Sequence, residues 1–110
     1  MPPDECLFCR LYRDGEHLRR SDGFVAIRDI NPQADTHLLV IPERHIGTFR
    51  EIASFPPDEA KRMLEFVAET AREAGVDDYK VVVNVGQGAG QTVFHLHWHV
   101  LGGRIRGLAA

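Results

Sequence analysis

The sequence of 110 residues predicts one α+β domain, a mainly antiparallel sheet with a single long helix across one face. Three observations carry this. One amphipathic segment is long enough to cross a sheet, apolar strand-like runs stand on both sides of it, and the last run places histidines at alternate positions. Only one crossover helix is long enough, so a doubly wound parallel sheet is disfavoured. No repeat, low-complexity segment or linker divides residues 1–110, and the length suits one domain with a genuine core.

In chain order, residues 6–13 form a short helix ending near Asp14-Gly15. Phe24-Val25-Ala26-Ile27 reads as a strand after the turn signal Ser21-Asp22-Gly23. Asp29-Ile30-Asn31-Pro32-Gln33 is a turn or loop, and His37-Leu38-Leu39-Val40-Ile41 is a second strand stopped by Pro42. The long helix spans 57–74: Pro57 suits its first turn, Asp58 and Glu59 complement the positive end of the dipole, and Gly75 ends it. Ala60, Met63, Leu64, Val67, Ala71 and Ala74 make the apolar stripe expected to cover the sheet. A strand over 79–85, a glycine-rich connection over 86–92 and a histidine strand over 95–101 complete the chain.

Composition narrows the function. Apolar residues make 44% and charged residues 26%, as in soluble globular domains. The net charge is −3 with no block of like charges, so a nucleic-acid partner is not expected. No apolar run reaches the roughly 20 residues of a membrane span, and Met1-Pro2-Pro3-Asp4-Glu5 reads as neither signal nor transit peptide. A cytoplasmic protein that does not engage membranes is the expectation. Cys6-Leu7-Phe8-Cys9 holds both cysteines at a spacing that suits a metal or redox site better than a structural disulfide. Cys6 and Cys9 supply half of a zinc site.

The run His95-Leu96-His97-Trp98-His99-Val100-Leu101 is the chemical centre of the sequence. Alternation along a strand puts the three imidazoles on one face and Leu96, Trp98 and Val100 on the other. A neutral histidine is a competent nucleophile toward phosphorus, and a ring with a reference pKa of about 6.5 is largely neutral at pH 7. Gly86-Gln87-Gly88-Ala89-Gly90-Gln91-Thr92 feeds into this run, with glycines that let backbone N–H groups approach an anion and with Gln91 and Thr92 as side-chain donors. It lacks the Lys-Ser/Thr ending of a P-loop, and it leads into no helix. His-x-His on a strand is also a way to hold zinc, so a zinc hydrolase using these rings as ligands stays open. His17 reads as a solvated residue in a charged segment.

This pattern resembles the histidine triad (HIT) family, whose signature is His-φ-His-φ-His-φ-φ with φ apolar. The likeness extends to Asn84, to Gly90-Gln91-Thr92-Val93-Phe94, to Asp29-Ile30-Asn31-Pro32-Gln33-Ala34, to Thr36-His37-Leu38-Leu39-Val40-Ile41-Pro42 and to His45-Ile46. Leu101-Gly102-Gly103-Arg104 looks most like the histidine triad nucleotide-binding (Hint) branch. The resemblance implies a five-stranded HIT-like fold, a homodimer, and hydrolysis or transfer at the α-phosphate of a purine nucleotide conjugate. His97 would form a nucleotidyl-histidine intermediate, with His99 and His37 supporting it. Asn84, Gln91 and Thr92 would contact phosphate oxygens, assisted by the backbone from Gly90 to Val93. Asp29 would bind the ribose, and Ile27 and Ile30 would flank the base. In members with a Cys-x-x-Cys start, zinc is held by the residues matching Cys6, Cys9, His45 and His95, a closed and therefore structural S2N2 set. His95 would then be a ligand rather than a catalytic ring. The implied activity is that of a nucleoside phosphoramidase; a dinucleoside polyphosphate hydrolase and a nucleotide-binding regulatory protein with little turnover are the alternatives. After Arg106 no aromatic- and proline-containing tail of the Hint type follows, which leaves the leaving-group preference open.

Overall fold

The computed structural model describes residues 6–106. The readings of Met1–Glu5 and of the segment after Arg106 concern residues largely outside that range. Two helices, α1 (Leu7–Asp14) and α2 (Pro57–Glu73), and five strands, β1 (Arg19–Ser21), β2 (Phe24–Arg28), β3 (Ala34–Pro42), β4 (Tyr79–Val82) and β5 (Trp98–Ile105), follow one another with two 3-10 turns at Phe49–Ser54 and Gln87–Ala89. The sheet runs β1-β2-β3-β5-β4, and every pairing is antiparallel. This is the α+β architecture expected.

The two faces of the sheet are covered differently. Met63, Phe66, Val67 and Ala71 of α2 pack on Ala26, Leu38, Val40, Leu96, Trp98 and Val100. On the other face, Cys6, Phe8 and Tyr12 of the α1 region pack on Val25, Ile27, Leu39 and Ile41. Strand alternation sorts these sets, since neighbours such as Val40 and Ile41 fall on opposite sides.

Several boundaries differ from the sequence reading, each for a local reason. The expected histidine strand begins only at Trp98, so His95 and His97 precede β5. The His95 carbonyl accepts from His97 Nδ1 at 2.7 Å, a side-chain bond that competes with a strand ladder. The faces nevertheless alternate as expected. β4 ends at Val82, opposite His99 near the start of β5, because little partner strand lies beyond. β3 starts at Ala34, before the expected His37, and closes on Pro42 itself, which pairs with Phe24. In α2 the stripe is rotated: Leu64 is 54% exposed and Ala74 is exposed, while Phe66 and Thr70 are buried. β1 and the turn at Phe49–Ser54 were not expected, although Thr48 and Glu51 form a capping box legible as Thr-x-x-Glu.

Candidate active site and metal centre

Helix α1 begins on the cysteine pair. Cys6 is its N-cap, and Cys6 Sγ accepts from the Cys9 N–H at 3.4 Å. One helical turn thus brings both thiols to the side of the sheet where His95 lies. Cys6 Sγ and Cys9 Sγ are each 3.4 Å from His95 Nδ1, and Cys9 Sγ is 3.2 Å from His45 Nδ1. The four ligand atoms lie within 4.8 Å of one another. Zinc bonds of about 2.3 Å to sulfur and 2.0–2.1 Å to nitrogen require S···N edges of roughly 3.5 Å in a tetrahedron, so the donor set fits. The outer contacts fit too. His95 Nε2 donates to the Pro42 carbonyl at 2.8 Å, which leaves the Nδ1 lone pair facing the thiols. Burial, reinforced by the Cys6 thiol, pushes the Cys9 thiol up to about 11, and burial drives His95 down to about 4. These four residues can hold a metal.

A second cluster, Asp29, His37 and His99, lies beyond the triad centre. Here the outer contact has the opposite sense. The Gln33 N–H donates to His37 Nδ1 at 2.9 Å, so neutral His37 carries its proton on Nε2. That Nε2–H faces His99 Nδ1 at 2.9 Å and Asp29 Oδ2 at 3.3 Å. A metal on Nε2 would need the proton moved to Nδ1, against the Gln33 N–H. The cluster is therefore built as a hydrogen-bond relay, which weighs against the triad as a zinc cage. Asp29 is itself oriented by the Asn31 N–H, bonded to Oδ1 at 2.8 Å.

Between the clusters sits His97, buried, with Nδ1 donating to the His95 carbonyl and the lone pair therefore on Nε2. Its ring meets His99 at a centroid distance of 5.1 Å and Phe8 edge-on at 4.7 Å. Burial lowers the pKa of His97, His37 and His99, the last to about 4, with the neighbouring rings adding to the effect on His99. Asp29 opposes the shift on all three. The lowered values favour the neutral form of all three rings at pH 7. When His99 Nδ1 accepts from His37, its proton sits on Nε2, one of two buried side-chain polar atoms without a partner among the described residues.

The remaining expected residues fall into two groups. Ile27 is buried in the cluster against which Val93 packs, and Ile30 stands 92% exposed at the turn beside Asp29. Asn84 Nδ2 lies 4.0 Å from the point a Gly90 Cβ would occupy, and Thr92 is exposed. Gly90 ends the 3-10 turn at φ +95°, a conformation that favours glycine. Gln91 departs from expectation. Its Oε1 accepts from the Gly86 N–H at 2.9 Å, and its Nε2 donates to the Gly47 and Val93 carbonyls at 2.8 and 3.1 Å. Its own N–H reaches the Gly86 carbonyl at 3.1 Å. The side chain that was to donate to phosphate is consumed in closing the glycine loop. Sequence reasoning missed Phe8, which the Cys-x-x-Cys motif could have flagged, and the Gln33 N–H and Pro42 carbonyl, for which no residue-type signal exists.

Comparison with known proteins shows which family the chain and its fold resemble. The model of the HIT domain matches residues 13–105. The purine nucleoside phosphoramidase of Escherichia coli (strain K12) is 34% identical over 106 residues, covering 92% of this chain and 89% of its own. A HIT family hydrolase from Legionella pneumophila Philadelphia 1 superposes with a TM-score of 0.84 at 35% identity, over 94% of this chain and 97% of that one. A zinc-bound histidine triad family protein from Mycobacterium smegmatis has a TM-score of 0.74 at 29% identity, over 97% and 86%.

Proposed function

The chain belongs to the HIT family, and from that premise we propose a nucleotide-binding hydrolase that acts at the α-phosphate of purine nucleotide conjugates, of the nucleoside 5′-phosphoramidase type. The supporting observation is the His97 Nδ1 bond to the His95 carbonyl at 2.7 Å, which fixes the ring's lone pair on Nε2. His97 Nε2 attacks the α-phosphorus, the P–N bond breaks, and its electron pair leaves with the nitrogen, which takes a proton from solvent and departs as the amine. Water then cleaves the nucleotidyl-histidine, so one water is added across the P–N bond overall. The unpartnered His99 Nε2–H donates to a phosphate oxygen, and His37 and Asp29 hold His99 in the tautomer that makes this possible. Asn84, Thr92 and the backbone from Gly90 to Val93 receive the remaining oxygens, with Gln91 holding the loop in place. Asp29 takes the ribose, and Ile27 and Ile30 flank the base.

Zinc on Cys6, Cys9, His45 and His95 belongs to the same proposal, as a structural ion that supplies a fixed cross-link. So do a cytoplasmic site and a homodimer, which sedimentation at micromolar concentration checks. The deciding experiment is AMP release from adenosine 5′-phosphoramidate by the parent and by His97→Ala. Release that collapses in the variant is expected. A folded, AMP-binding parent that releases none would end the phosphoramidase reading and leave a dinucleoside polyphosphate hydrolase or a nucleotide binder with little turnover.

A further inference from the structure

The His97 ring is restrained by contacts that lead back to the metal cluster. Its Nδ1–H is held by the main chain of His95, and His95 is itself one of the four ligand residues. A hydrogen bond to one ring nitrogen still lets the ring swing about that bond. The contact that opposes the swing is Phe8, whose ring stands 87° to His97 with centroids 4.7 Å apart. Phe8 also lies 6.3 Å from the His95 ring at 68°. It is 6% exposed and sits between Cys6 and Cys9 in the chain. Its place in space is therefore fixed by the turn of helix that carries both thiols. We infer that Phe8 is a positioning residue, through which the cross-linked Cys6–Cys9 turn holds the His97 ring with Nε2 toward the substrate.

This inference rests on His97 as the nucleophile, but its test reads the ring directly. Long-range proton–nitrogen correlation spectra of the zinc-loaded protein report which nitrogen of His97 carries the proton. The parent should show a single tautomer, protonated on Nδ1. In Phe8→Leu, which keeps an apolar side chain at the site, the His97 ring signals should broaden by exchange while the Nδ1–H tautomer set by the His95 carbonyl is kept. With adenosine 5′-phosphoramidate, kcat should fall by about ten- to a hundredfold, the scale expected of a misplaced reacting group, while KM moves less than about twofold. Removing zinc from the parent with a chelator should bring the same His97 signature. Phe8→Met carries the same expectations if Phe8→Leu does not fold. His97 ring signals as sharp as the parent's, together with unchanged kcat in the variant, would overturn the inference. So would a rise in KM alone, which would make Phe8 a contact of the nucleotide instead. A chelated parent that keeps the parent spectrum would break the link to the cysteine turn. Full AMP release by His97→Ala would refute the nucleophile reading separately, since the spectrum does not depend on turnover.

Discussion

At His95 and His37 one side-chain type is put to opposite uses by a single backbone group each. The Pro42 carbonyl takes the Nε2–H of His95 and frees Nδ1 for a metal, whereas the Gln33 N–H occupies Nδ1 of His37 and makes Nε2 a donor. Alternation in the sequence reveals which rings share a face, but these partners are set by the fold and have no residue-type signature. Gln91 shows the same limit, because a polar residue in a glycine-rich loop reads as a ligand contact until its partners are seen. Gln91→Ala leaves two carbonyls and one N–H unpaired and should cost about 2–4 kcal/mol. Urea denaturation checks this, and a cost under about 0.5 kcal/mol would return Gln91 to the phosphate. Acid should also destabilise the fold. His99 is held near 4 against an ordinary 6.5, and His37 is lowered in the same direction. The unfolded chain therefore takes up protons that the folded state refuses. Stability contributed by these rings is complete above about pH 6.5 and is lost as pH falls toward about 4, on the order of 3 kcal/mol for His99. Denaturation midpoints that rise on acidification through this window would contradict the assignment.

Among the elements, α2 was the most legible, since Pro57, the acidic first turn and Gly75 mark its ends. Its exact face was not. Leu64 is at an apolar period in the sequence but 54% exposed, while Thr70 is buried because its hydroxyl donates to the Phe66 carbonyl at 2.7 Å and accepts from Arg19. Met63→Ala should cost about 2–5 kcal/mol by opening a cavity, against less than about 0.5 kcal/mol for Leu64→Ala. Equal midpoints for the two in urea would mean that α2 is rotated from its described face. β1 escaped notice because Arg19-Arg20-Ser21 is short and polar, an edge strand that exists through its pairing with β2. The late start of β5 had no sequence signal, because it follows from a histidine ring bonding to its own main chain.

For the whole molecule, the Cys6, Cys9, His45 and His95 cluster brings α1 against two distant points, His45 beyond β3 and His95 before β5. Zinc bound there stabilises the folded state alone, since the unfolded chain does not preform the site. Protein purified without added zinc should carry about one zinc per chain, and chelation should lower Tm on the order of 10 °C. Metal far below one per chain with an unchanged Tm would remove the structural role. The fold class, the long helix, the sorting of histidines from apolar residues and the Cys6–Cys9 pair were all available from residue types and spacing, while His45 and His95 joined that pair only through the family resemblance. Those features depend on periodicity and on side-chain chemistry, which a linear sequence carries. The tautomer of each ring, the capture of Gln91 by the loop, and Phe8 against His97 were decided only by tertiary structure. Each depends on which main-chain N–H, carbonyl or ring edge arrives at the other end of a side chain, and only the pairing of distant segments determines that.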